Sequence, residues 1–244
     1  MLGLEHIVFM LVSFKLIALV ARRFKDASQR QISFFIKFFA VVMAMFDPIY
    51  WVWEFYHFGR LDLSTTLPLY FCSLCWMSMP FVAFTRRESL VNRVALSYIC
   101  TLNVIMGTLG LVFNVYLNSY SILSFVPIRS LIYHVFMILI PAVLWSSGYY
   151  RPQKRDLRLF FIPVVILYIP AAITHIMFGW DYCYMNGGKG TTVEIFSSVM
   201  PRGLFIVTMF VFLYTISCLF FFFPYFAYEK IRKNREGLEE IYYR

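Results

Sequence analysis

The sequence predicts an all-α, polytopic membrane protein with seven transmembrane helices, its N-terminus outside and its C-terminus cytoplasmic. Three observations carry this. Hydrophobic residues make up 61% of the 244-residue chain and charged residues 14%, with a mean hydropathy of +0.70. A soluble domain holds about 45–50% apolar and about 25% charged residues, so this chain lacks the polar surface that a water-soluble core requires. Apolar stretches of about 20 residues, long enough to cross a bilayer as helices, recur seven times. Finally, Lys and Arg collect in alternate connections, which is the signature of a fixed orientation.

The spans read in order. Residues 4–21 form the first, and the charges that follow it, with none in Met1–Leu4, argue against a cleavable signal. The second, 33–57, carries Asp47 and Pro48. The third, 64–84, carries Pro68, Cys72 and Cys75, and the fourth, 92–117, carries Asn103 and Asn114. The fifth, 124–146, holds Arg129 and His134, the sixth, 158–178, holds His175, and the seventh, 199–225, opens near Arg202. Residues 1–228 are therefore expected to form one transmembrane domain, with 229–244 as a basic cytoplasmic tail.

Orientation follows from the basic residues. Arg22, Arg23, Lys25 and Arg30 lie in the first loop, and Arg86, Arg87 and Arg93 in the third. Arg151, Lys154, Arg155 and Arg158 lie in the fifth, and Lys230, Arg232, Lys233 and Arg235 in the tail. The even loops offer only Arg60 and Lys189. The odd loops and the tail are thus cytoplasmic, and the net charge of +9 is a topology signal rather than a sign of nucleic acid. The membrane is a plasma membrane if the protein is bacterial, and the endoplasmic reticulum or a related membrane if it is eukaryotic.

Two seven-helix receptor readings fail on particular residues. The last span holds no Lys for a retinal Schiff base. The ends of spans three and seven read Phe84-Thr85-Arg86-Arg87 and Phe223-Pro224-Tyr225, unlike the corresponding motifs of G-protein-coupled receptors.

Polar and ionisable groups are costly inside lipid, so their depth points to a site. At 1.5 Å per residue, Cys72 lies about 12 Å below the outer surface, with His134 about 15 Å down and Asp47 at a similar depth. Asn103 comes out slightly deeper. Nearer the outer interface lie Glu54, His57, Arg129, His175 and Arg202, whereas Lys15 and Lys37 sit close enough to the inner end to snorkel. A thiol, an imidazole and a carboxylate at one level on three helices suggest a polar cavity that opens outward.

Cys and His together are a minimal nucleophile–base pair: imidazole takes the thiol proton and the thiolate attacks an acyl carbonyl. Asp47 or Asn103 is then the third group, orienting the imidazole, and Arg129 and Arg202 are candidates to hold a donor phosphate, with His175, Glu54 and His57 beside them. Competing readings are redox chemistry at Cys72-Ser-Leu-Cys75 with Cys183 as relay, and zinc held by Glu54, His57, His134 and His175. The zinc reading lacks the paired H-x-x-x-H of seven-span zinc hydrolases, so no metal and no cofactor is expected. A transporter would show matching halves, and none are visible.

Leu67-Pro68-Leu69-Tyr70-Phe71-Cys72 resembles the L-P-L-H-x-C signature of the bacterial YwaF-like seven-helix membrane proteins, with Tyr70 in place of the His. Glu5-His6, Trp180-Asp181-Tyr182-Cys183-Tyr184-Met185, Met200-Pro201-Arg202 and Pro224-Tyr225 are similar to further family segments in the same order. The resemblance implies lipid acyl transfer, since eukaryotic relatives of that family look like phospholipid acyltransferases with a membrane-embedded Cys. It maps the nucleophile to Cys72 and the base to His134. The expected function is transfer of an acyl group from a phospholipid to a lysolipid, a lipoprotein acceptor or water. The alternative is a non-enzymatic lipid or small-molecule binder or transporter.

Overall fold

The computed structural model describes residues 3–242, with side chains described through Asn234. Among the described residues six helical segments are long and apolar enough to span a bilayer, and a seventh crossing is built from a shorter apolar helix. The first crossing is α1 (Leu4–Arg23), and α2 (Gln29–Phe58) returns. Ser28 begins α2 with a full capping box: its hydroxyl accepts from the Gln31 amide while the Gln31 side chain accepts from the Ser28 amide. Gly59, at φ 67°, ends it in the left-handed conformation that favours glycine.

The third crossing departs from the continuous helix expected over 64–84. A single turn, α3 (Leu63–Thr66), is followed by extended backbone, a 3-10 turn (Phe71–Ser73) and then α4 (Leu74–Phe84). Pro68 is the cause: it offers no N–H, and its ring drives Leu67 to ψ 143°. Broken backbone at membrane depth survives only if protein groups replace the lost hydrogen bonds. Here six side chains do so. Trp51 donates to the Thr66 carbonyl (3.0 Å), Cys183 to Leu69 (3.0 Å), Tyr98 to Phe71 (3.0 Å) and Tyr133 to Cys72 (3.0 Å). The Tyr182 hydroxyl accepts from the Leu67 amide (2.9 Å) and donates to the Leu63 carbonyl (2.5 Å), while Asp62 caps α3 through the Ser64 amide. Ser64, by the same contacts, holds the Asp62 carboxyl below its usual range.

Tyr182→Phe is expected to leave the Leu67 amide and Leu63 carbonyl unpaired at a fully buried site, lowering stability by about 1–3 kcal/mol in thermal unfolding of the detergent-purified protein. Tyr70→Phe, whose hydroxyl has no hydrogen-bond partner among the described residues, should change little. Equal effects would show that the break is held by something other than these bonds.

The fourth crossing joins α5 (Leu90–Ile99) to α6 (Leu102–Val112) across a kink at Thr101, and Trp145 donates to the Cys100 carbonyl there (2.8 Å). The fifth is α7 (Phe125–Ser146), and α8 (Asp156–Leu159) precedes the sixth, α9 (Ile162–Phe178). A long loop containing α10 (Glu194–Ser197) leads to α11 (Arg202–Ser217), a π-helical turn (Cys218–Phe222) and α12 (Phe223–Tyr242). The π turn lies just ahead of Pro224, which has no N–H to give the preceding turn. The helix runs on into the stretch read as a separate tail, through Tyr242. Of that stretch, residues 243–244 lie outside the described residues, as does the Arg235 side chain.

The third and fifth loops, both basic, meet at one end of the bundle. Arg93 grips Asp156 through a bidentate pair (Nε to Oδ1, 2.7 Å) and also donates to the Arg151 carbonyl (2.8 Å), while Arg87 donates to Tyr149 (2.9 Å). Tyr150 and the Gln153 amide also donate to Asp156, which is fully buried. Loops three and five are thereby one unit. At the opposite end the long loop packs on the broken third crossing through Tyr182 and Cys183. The buried core lies between these two ends, along α2, α4, α5 and α7.

Candidate functional site

Beside the broken crossing lies a cavity of about 90 Å³, roomy enough for a few waters or the carbonyl end of an acyl chain. Cys72, His134 and Asp47 all line it, so the three groups expected at one depth share one chamber. Cys72 reaches it from the turn that leads into α4, where the chain has just left the Pro68 break. Cys75, one turn on, is fully buried in the apolar core instead. All five cysteines are free thiols.

His134 is fixed from its own helix. Its Nδ1 lies 2.7 Å from the carbonyl oxygen of Ser130, four residues back, and that acceptor places the proton on Nδ1. Nε2 is then the free lone pair, and it has no hydrogen-bond partner among the described residues. The ring lies against Gly110 of α6: a Cβ added there would come within 2.1 Å of Nε2, 2.2 Å of Cδ2 and 2.8 Å of Cε1. A second glycine, Gly107, brings the two helices together one turn away, where a Cβ would meet Met137 at 2.8 Å.

Asp47 does a different task from the one expected. Its Oδ1 is paired with Arg129 (2.8 Å), its Oδ2 accepts from Trp76 Nε1 (2.8 Å), and Arg129 Nε also donates to the Phe46 carbonyl (3.0 Å). The guanidinium lies over the Tyr50 ring at 4.6 Å. The carboxylate therefore neutralises Arg129 and ties α2 to α7, while Ser130 orients the imidazole. Arg129, so engaged, closes the cavity wall.

The remaining sequence candidates stand elsewhere. Asn103 is fully buried and donates to the Met137 carbonyl (2.9 Å), joining α6 to α7 away from the cavity lining. Glu54 is buried 2.6 Å from the Thr66 hydroxyl, steadying the cavity rim. His57 is exposed and stacks on Trp53 with centroids 4.4 Å apart. His175 contacts the Trp180 carbonyl (3.0 Å), and Arg202 donates to Met185 (2.7 Å) and Asn186 (2.7 Å), so both shape the long loop. The four groups of the zinc reading are thus dispersed, and among the described residues no three His, Cys, Asp or Glu side chains are grouped to hold a metal.

Sequence reasoning passed over the tyrosines. Tyr50, Tyr70, Tyr116 and Tyr133 all line the cavity. Tyr133 is spent on the Cys72 carbonyl, whereas the hydroxyls of Tyr50, Tyr70 and Tyr116 have no hydrogen-bond partner among the described residues and remain available as donors.

A family model, the TMEM164 family, matches residues 1–225. The chain belongs to the TMEM164 family. The match takes in the whole cavity, and it stops just past Pro224, short of the charged second half of α12. With the six long apolar helices among the described residues, it makes the protein a multi-pass member of a membrane protein family. Kinship with the YwaF-like proteins and with membrane acyltransferases rests on the short motifs alone. The chain matches no curated protein and no solved structure.

Proposed function

We propose that this TMEM164-family protein is a membrane-embedded lipid acyltransferase in which Cys72 is the nucleophile and His134 the base. The observation that carries the reading is a thiol and an imidazole lining one small cavity, with the imidazole's Nδ1 proton held by the Ser130 carbonyl. That arrangement leaves Nε2 unprotonated, the state a general base needs.

In the proposed cycle Nε2 of His134 takes the Cys72 proton and the thiolate attacks the ester carbonyl of a phospholipid. The tetrahedral intermediate collapses, the lysolipid alkoxide leaves with the proton from His134, and the acyl group stays as a thioester on Cys72. An acceptor hydroxyl, amine or water then gives its proton to His134 and attacks the thioester, restoring the thiol. The free tyrosine hydroxyls on the cavity wall supply donors for the developing oxyanion. In the orientation that the basic loops predict, this site lies on the extracytoplasmic side, which favours a phospholipid donor over a cytoplasmic thioester. Arg129 and Arg202 are not assigned the donor phosphate, since their guanidinium groups are engaged by Asp47, Phe46, Met185 and Asn186.

An acyl-phosphonate probe tests the reading: labelling should require both Cys72 and His134 and be indifferent to Cys75. Labelling that survives their loss would place the nucleophile elsewhere, and no labelling of the unaltered protein would favour a binder without this chemistry. Gly110→Ala is a second test, because its Cβ must displace the imidazole. A displacement of about 1 Å can cost about 100-fold in turnover, so a loss of that order is expected, with Gly203→Ala, in open space, unaffected. Normal turnover in Gly110→Ala would remove His134 from the reaction.

A further inference from the structure

We infer that the first basic loop and the opening turns of α2 form a binding site for an anionic phospholipid of the leaflet on the basic face, remote from the Cys72 cavity. A groove of about 480 Å³ opens there between the end of the first loop and α2. Its walls are the rings of Phe24, Phe34, Phe35, Phe38 and Phe39, and Arg30 stands at its mouth. Phe34 and Phe38 face outward at 71% and 51% exposure, so the groove presents aromatic surface to lipid rather than to another helix.

The charge around the groove decides what fills it. Arg22, Arg23, Lys25 and Arg30 face a single acid, Asp26, in this loop. Lys37 lies seven residues beyond Arg30, which on a helix is the same face, about 10 Å deeper along the axis. Both side chains are exposed, and neither has a carboxylate partner among the described residues. In the other basic loops Arg93 is bound to Asp156 and Arg87 to the Tyr149 carbonyl, while Arg86 and Arg158 are exposed and do not line the groove.

An unpaired Lys within an apolar span is costly, and it is relieved by reaching back toward the interface to an anionic oxygen. A lipid phosphate set between Arg30 and Lys37 meets both cations, and its acyl chain follows the Phe34–Phe38 side of the groove. The surplus of positive charge selects a headgroup with net negative charge over a zwitterionic one.

Native mass spectrometry of the full chain, titrated with phosphatidylglycerol and with phosphatidylcholine of the same acyl chains, tests the site. The unaltered protein should retain phosphatidylglycerol preferentially. Arg30→Gln and Lys37→Gln should each weaken that retention by about 5-fold, the worth of one interfacial cation. Arg86→Gln with Arg158→Gln removes twice that charge from the other basic loops and should change it little. Phe34→Ala with Phe38→Ala should weaken retention while leaving the headgroup preference intact. All these side chains are exposed, so the fold is not at stake. Equal retention of the two lipids, or an equal loss in the Arg86 and Arg158 control, would overturn the proposal.

Discussion

Cys72→Ala and His134→Ala are each expected to abolish acyl transfer, with losses of about 1,000-fold or more, and the double variant should be scarcely worse than either alone. Groups that act as one unit are strongly non-additive, because removing the base leaves the nucleophile protonated and removing the nucleophile leaves the base idle. Cys75→Ala should retain turnover, since that thiol is packed in the apolar core and does not line the cavity. Purified variants assayed with a fluorescent phospholipid donor and a lysolipid acceptor would measure this. If Cys75→Ala were as damaging as Cys72→Ala, and reductant controlled the activity, thiol redox chemistry would replace the proposed reaction.

Asp47→Ala is expected to destabilise the protein by about 3–5 kcal/mol, the cost of leaving one member of a largely buried ion pair without its partner. Arg129 would keep its charge beside the Tyr50 ring with no counter-ion, and Trp76 Nε1 would lose its acceptor. Asp47→Ala combined with Arg129→Met should recover much of the loss, because the orphaned charge is gone and an apolar side chain fills the wall. Thermal unfolding in one detergent, comparing the single and double variants, reads the difference. A double variant no better than Asp47→Ala would mean that the carboxylate serves the fold through Trp76 alone.

How much of this was legible beforehand differs between the crossings and the cavity. Helical crossings are legible because lipid forces each apolar run to satisfy its own backbone, so length and hydropathy suffice. The third crossing escapes that logic. Its polar backbone is satisfied by Tyr182 and Cys183 from a loop more than a hundred residues away, and no window on the local sequence contains them. Pro68 marks the place but cannot tell a kink from a full break.

Depth brought Cys72, His134 and Asp47 together, yet depth along a helix says nothing about direction around it. Asn103 has a suitable depth and faces α7 away from the cavity. Arg129 and Asp47 stand at different depths in the sequence and still pair, because the long guanidinium arm reaches down from a backbone position nearer the interface. Ser130 was readable in principle: a histidine ring commonly meets the carbonyl of the preceding turn, and a residue count would have found it. Gly110 and the cavity tyrosines had no such signal. Tyrosine is frequent near membrane interfaces for other reasons, and a glycine in a helix shows its purpose only when its neighbour is seen.

The most direct measurement of the central claim is the intact mass of the purified protein after incubation with a phospholipid donor, followed by mapping of the modified peptide. The account predicts a single acyl group held as a thioester on Cys72, released by hydroxylamine and absent from both Cys72→Ser and His134→Ala. An acyl group on Cys75 or Cys183 instead, or turnover that continues unchanged in Cys72→Ser, would contradict it.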